Sequence, residues 1–184
     1  MGRVRSALGR PWFIATVLIG VVAVGAGLYW FQPWKLWVDE TVRDQIPSAV
    51  SAPASAPAHG GAQAPTGPQD LAKGELISHE HKTSGSVRIL RLPDGTRILR
   101  LMNLDTSNGP ALRVWLTDAE VKPGKDGWHV FDDGRHVSLG KLKGNKGDQN
   151  YTLPADVDLN RYRSVTIWCD RFDVSFGAAE LART

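Results

Sequence analysis

Cysteine is almost absent from this chain: Cys169 is the only one in 184 residues. That excludes an internal disulfide and confines any protein-thiol chemistry to one position. Charge is absent between Arg10 and Lys35, and acidic residues are absent from the first ten positions. Large apolar side chains nearly vanish from the run IPSAVSAPASAPAHGGAQAPTGP that begins at Ile46. No nucleophile elbow and no distinctive pair of carboxylates marks a hydrolase or a glycosidase.

These gaps divide the chain. The charge-free run 11–34, PWFIATVLIGVVAVGAGLYWFQPW, is long enough to cross ~30 Å of hydrocarbon as a helix. Trp12 lies at one end and Tyr29, Trp30 and Trp34 at the other, as in interfacial aromatic belts. A cleaved secretory signal has a shorter apolar region and a nearby small-residue cleavage site, so an uncleaved signal anchor is expected. Arg3, Arg5 and Arg10 precede the run, which predicts a cytoplasmic tail at 1–10 and a single-pass chain whose later residues are extracytoplasmic. Residues 35–69 read as a juxtamembrane segment, Lys35 to Asp44, that continues the helix for a turn or two, followed by a linker too poor in apolar surface to fold. His59 falls in that linker as a solvated side chain.

The formal charge of +3 and pI of 9.2 do not point to nucleic acid. Residues 70–184 hold 17 Lys plus Arg against 16 Asp plus Glu, a balance of +1, and show no nucleic-acid motif. The bilayer is the partner that the charge-free run implies.

From Lys73 onward short runs of β-formers alternate with turn residues. SVRILRL-PDG-TRILRLM reads as a hairpin in which Val87 faces Leu101, Ile89 faces Leu99 and Leu90 faces Ile98. Arg88, Arg91, Arg97 and Arg100 read as a solvated rim. Further strands are predicted at 112–117, 136–142, 164–170 and 173–180, with KGNKGDQN at 143–150 as a polar loop. About eight short strands without amphipathic helices predict an all-β domain at 70–184, a β-sandwich before a closed barrel.

In the strand SVTIWCD, alternation places Val165, Ile167 and Cys169 on one face and Ser164, Thr166, Trp168 and Asp170 on the other. Two readings of Cys169 stay open: a small hydrophobe in the core, or a reactive thiol. Arg171, two positions on, would share its face and favour a thiolate, whereas Asp170 would oppose one. Asn108 shapes the turn Ser107–Pro110, and Asp148 is placed to cap backbone amides. His79 and His81 have the spacing of two metal ligands on one strand face but lack a third nearby. Trp115, Trp128 and Trp168 would form a carbohydrate platform only if coplanar and exposed.

TSNGPALRVWL at 106–116, LGKLKGNKGDQNYTLP at 139–154 and VDLNRYRSVTIWCDRFDVSFGAAEL at 157–181 together resemble the DM-thirteen domain, the electron-transfer domain of Skeletor-type proteins. The resemblance spans Gly74 to Leu181 and implies an extracellular all-β module whose characteristic cysteine is Cys169. It further implies a redox role for Cys169; Trp168, Asp170, Arg171, Asn108 and Asp148 are the candidate supporting residues read from the sequence, and an unidentified envelope or redox protein is the expected partner. It identifies no cofactor. The chain departs from the family pattern at Leu104, where an aromatic residue is common, and at Ala111, where an acidic one is.

Overall fold

The computed structural model describes residues 11–47 and 67–184. The basic tail 1–10, most of the Pro/Ala-rich linker and His59 lie outside the described residues. Helix α1, Pro11–Phe31, buries no side chain within the protein and is about 30 Å long at 1.5 Å per residue. It is the one described helix long and apolar enough to cross a membrane. Pro33, with no amide hydrogen to give, stops it. A single 3-10 turn, Pro33–Trp37, follows after Gln32 in a left-handed conformation (φ 43°). The helix therefore does not continue through Lys35 to Asp44.

Among the described residues, eleven strands form two sheets. The first has six strands: β1 (Thr41–Arg43), β2 (Gln69–Glu75), β4 (Ser84–Arg91), β5 (Arg97–Asp105), β8 (Lys146–Thr152) and β11 (Ala182–Arg183). Their order is β1-β8-β5-β4-β2-β11. The second has five: β3 (Ile77–Ser78), β6 (Leu112–Thr117), β7 (His136–Lys141), β9 (Ser164–Cys169) and β10 (Val174–Glu180), in the order β3-β10-β9-β6-β7. Both sheets are open, so the domain is a β-sandwich and not a barrel. The surplus over eight strands consists of β1, β3 and β11, each only two or three residues long.

The β4–β5 hairpin has the register that cross-strand apolar pairing predicts: Val87↔Leu101, Ile89↔Leu99, Leu90↔Ile98. Gly95, at φ 85°, takes the left-handed position of its turn. Val87, Ile89, Leu99 and Leu101 meet Val114, Leu116, Val165, Ile167 and Cys169 between the sheets, each fully buried aliphatic side chain contributing about 1.5–3 kcal/mol. The arginines do not form one rim. Arg100 is buried and spans Asp148 (2.8 Å), Asn150 (2.8 Å) and the Asp44 carbonyl (2.9 Å). Arg97 donates to the carbonyls of Pro154, Ala155 and Val157.

Two segments depart from the sequence reading. Five of the eight residues of the polar loop KGNKGDQN are in strand β8, because its polar side chains find partners inside the fold. Gln149, fully buried, donates to the Gly144 carbonyl (2.6 Å) and accepts from the Tyr151 hydroxyl (2.7 Å) and the Lys143 amide (3.1 Å). The juxtamembrane segment is a strap along the first sheet. Here β1 pairs in parallel with β8 (Thr41↔Lys146, Val42↔Gly147, Arg43↔Asp148), and Ile46 packs on Leu90, Leu92 and Ile98. Lys143–Asp44 (2.6 Å) and Lys146–Asp39 (2.8 Å) brace it. Hydrogen bonds from these lysines hold both carboxyls below the usual carboxylate range.

Candidate functional site

Cys169 is the last residue of β9, paired with Leu112 of β6 and Val174 of β10. It has no exposed surface. The chain turns immediately after it: the Phe172 amide donates to the Cys169 carbonyl (3.2 Å), and Asp173 adopts φ 49°. The Asp170 amide donates to the Ala111 carbonyl (3.1 Å), tying this turn to the Ser107–Pro110 loop. Burial pushes the thiol above its ordinary value, and the backbone amides of Arg171, Phe172 and Ala111 pull partly against that shift. Burial thus favours the protonated thiol, and the nearby backbone amides offset that only in part.

Asn108 lies on the loop just before Ala111, to which the turn after Cys169 is tied. Its Oδ1 accepts from the Gly109 amide (2.8 Å) and its Nδ2 donates to the Val38 carbonyl (3.2 Å), so the loop is held to the strap. A Cβ on Gly109 would come within 3.1 Å of Leu112 and Phe176, which explains why the loop packs so closely there. Asp170 pairs with Arg113. Arg171 does not serve the thiol as strand alternation predicts, because β9 has ended before it. Its guanidinium lies 5.0 Å over the Trp30 ring and donates to the Trp30 carbonyl, with Tyr29 O at 3.5 Å. A cation there faces the negative end of the α1 dipole. The Phe172 ring stacks on Phe31 at 5.8 Å. Cys169 therefore sits at the end of the sandwich joined to α1.

The other candidates lie elsewhere. Trp168 points away from Cys169 into a second cluster with Trp115, Phe131 and Ala178. Trp115 and Trp168 stack on each other, 22° from parallel and 5.0 Å apart, and both are buried, so they offer no exposed stacking platform. Asp148 is on the opposite sheet, accepting from Arg100 and from the Asn103 amide (2.8 Å), whose φ of 48° it stabilises. His79 uses both ring nitrogens, on Ser175 Oγ (2.7 Å) and the Lys122 carbonyl (3.0 Å), and burial lowers its pKa. His81 lies 3.9 Å from the Phe176 ring and 3.6 Å from Glu80, and burial lowers its pKa as well. No group of three or more His, Cys, Asp or Glu suited to a metal occurs among the described residues.

Sequence reasoning missed Asn145, a nearly fully buried residue in the middle of KGNKGD. It donates to Thr106 O and Asp39 Oδ1 (2.8 Å each) and accepts from the Glu40 amide (2.7 Å), locking strap and loop together. No local signal distinguishes it from a turn asparagine.

The family model described as Electron transfer DM13 matches residues 75–181. The chain belongs to that family. The DM13 match holds Cys169, the Ser107–Pro110 loop and strands β3 to β10, and leaves α1 and the strap outside it. No curated protein and no solved structure matches the chain.

Proposed function

We propose that this protein is a single-span, membrane-anchored DM13 domain, with its N-terminus cytoplasmic and its sandwich extracytoplasmic, that exchanges electrons through Cys169. The observation that carries the reading is the place of the sole thiol at the last residue of β9, before a turn that is tied to Ala111 and whose Arg171 and Phe172 meet the end of α1. At rest Cys169 is a protonated thiol. When the loop opens, the proton leaves to solvent and the thiolate attacks the disulfide of a partner protein. A bond forms between Cys169 and one partner sulfur, the partner's own S–S bond breaks, and its second sulfur leaves as a thiolate. The chain has no second cysteine to resolve the mixed disulfide, so two molecules of an external thiol do: the first bonds to Cys169 and releases the partner as a dithiol, the second frees Cys169, and the two external thiols leave joined as a disulfide.

Reaction of the native protein with an aromatic disulfide reagent tests this. Asn108→Ala loses the bonds that hold the loop and should raise the rate about fivefold, the effect of about one hydrogen bond, without an equal loss of global stability. A rate that matches global unfolding in both proteins sinks the redox reading. That outcome favours a second one, an envelope- or protein-binding module with a structural cysteine, which the complete burial of Cys169 supports. Topology has its own test: protease added to intact cells should remove the domain.

A further inference from the structure

Two cavities flank the Ser107–Pro110 loop where α1 meets the sandwich. One, of about 270 Å³, is lined by four cations, Lys35, Arg113, Lys141 and Arg171, against one carboxylate, Glu40. The other, of about 300 Å³, is walled mainly by Phe31, Pro33, Leu36, Pro110, Phe172 and Phe176, with Glu80 and His81 also on its lining. Lys35, Asn108, Gly109 and Pro110 line both, so the loop is the ridge between a cationic chamber and an apolar one. Arg113 is engaged by Asp170, and Arg171 is held on the α1 carbonyls. Lys35 and Lys141 take part in none of the ion pairs among the described residues.

An occupant must match both chambers: negative charge on one side of the ridge and hydrocarbon on the other. It must also be present where the apolar helix ends, since Phe31 and Pro33 line the apolar chamber. The surface around it carries exposed Trp34, Leu36, Trp37 and Phe172, an aromatic-rich collar of the kind that sits at lipid headgroups. We infer that the paired cavities bind one anionic phospholipid of the same bilayer, its phosphate headgroup among Lys35, Lys141 and Arg113 and the start of its acyl chains against Phe31, Leu36 and Phe172. The inference rests on the proposed membrane anchoring but not on any chemistry of Cys169. Because the strap docks on β8 and Arg171 on α1, the sandwich is held against the headgroup layer, which brings this end of it within reach of a lipid.

The test uses the full chain in mild detergent, with lipid adducts read by native mass spectrometry. The probes are short-chain phosphatidylglycerol, the matching phosphatidylcholine and glycerol phosphate. Phosphatidylglycerol should be retained about tenfold more than phosphatidylcholine, the effect of one to two cations on an anionic headgroup. Lys35→Glu with Lys141→Glu should erase that preference, Phe172→Asp should weaken both lipids, and Cys169→Ser should change neither. Equal retention of the two lipids overturns the proposal. So does an unchanged preference in the double variant, or displacement of the lipid by an equal concentration of glycerol phosphate. Release of the chain from membranes by alkaline carbonate would instead defeat the anchoring reading itself, an outcome separable from a firmly anchored chain that shows no lipid preference.

Discussion

Strand β9 is buried along its whole length, but its two faces are buried by different means. Val165, Ile167 and Cys169 meet the aliphatic side chains of the facing sheet, in a core whose buried polar side chains, Gln149 and Tyr151, bond to each other and to nearby backbone. Thr166 and Trp168 are covered by the connection between β6 and β7, whose Phe131 packs on Trp168. That outer face carries a polar chain: Thr166 Oγ1 to Ser175 Oγ (2.8 Å), Ser175 Oγ to His79 (2.7 Å), and His79 to the Lys122 carbonyl (3.0 Å). It also holds the indole N–H of Trp115 without a partner; the other unpartnered indole, of Trp128, packs against the inner cluster. Sheet packing seals one face, and a long connection stitched by hydrogen bonds seals the other.

The comparison breaks most visibly at Trp168. Trp168→Ala should destabilise the fold by about 3–5 kcal/mol, measured by chemical denaturation. A loss below 1 kcal/mol would mean that the outer cluster is a loose cover and not a second core. Thr166→Val keeps the shape but leaves Ser175 short of a partner, and should cost about 1–3 kcal/mol. On the inner face Cys169→Ala removes only sulfur from a buried site and should cost about 1–2 kcal/mol, without altering lipid retention. Fast alkylation of native Cys169 at neutral pH would show that the inner seal is incomplete.

Acid should distinguish the faces as well. His79 on the outer face and His81 near the thiol end both have pKa values lowered from 6.5 by burial. The unfolded chain then binds protons that the folded one resists. Stability is full above about 6.5 and falls as the pH drops through the lowered folded values. His79→Gln should remove much of that slope in thermal melts while Cys169→Ala leaves it intact. A second loss below 3.8 belongs to Asp39, Asp44 and Asp70, whose pKa values are lowered by Lys146, Lys143 and Arg88. The smallest effect is at the sheet surface. Breaking the Arg88–Asp70 pair by Arg88→Ala should cost only about 0.2–1 kcal/mol, and a larger value would mean that β2 depends on it.

Local pattern was enough to read the apolar helix, the β4–β5 register, the face that Cys169 shares with Val165 and Ile167, and the family, because each is a property of neighbouring residues: length, charge, alternation and a run of motifs. Alternation also assigned Trp168 to the face opposite Cys169, but not what would cover that face. Three things were decided only by tertiary structure. The strap β1 has three residues, too few for a period, and it is held by contacts such as Glu40 to Asn145, 105 residues apart. Strand β8 looks like a loop until Gln149 and Asn145 are seen with their buried partners. Arg171, two residues after Cys169, serves α1 instead of the thiol, because the turn at Asp170 ends the alternation that would have aligned them. Periodicity reports which side chains share a face of one strand; whether that face meets water, a sheet or a distant strap depends on chain closure over long separations, and no short window of residues contains that.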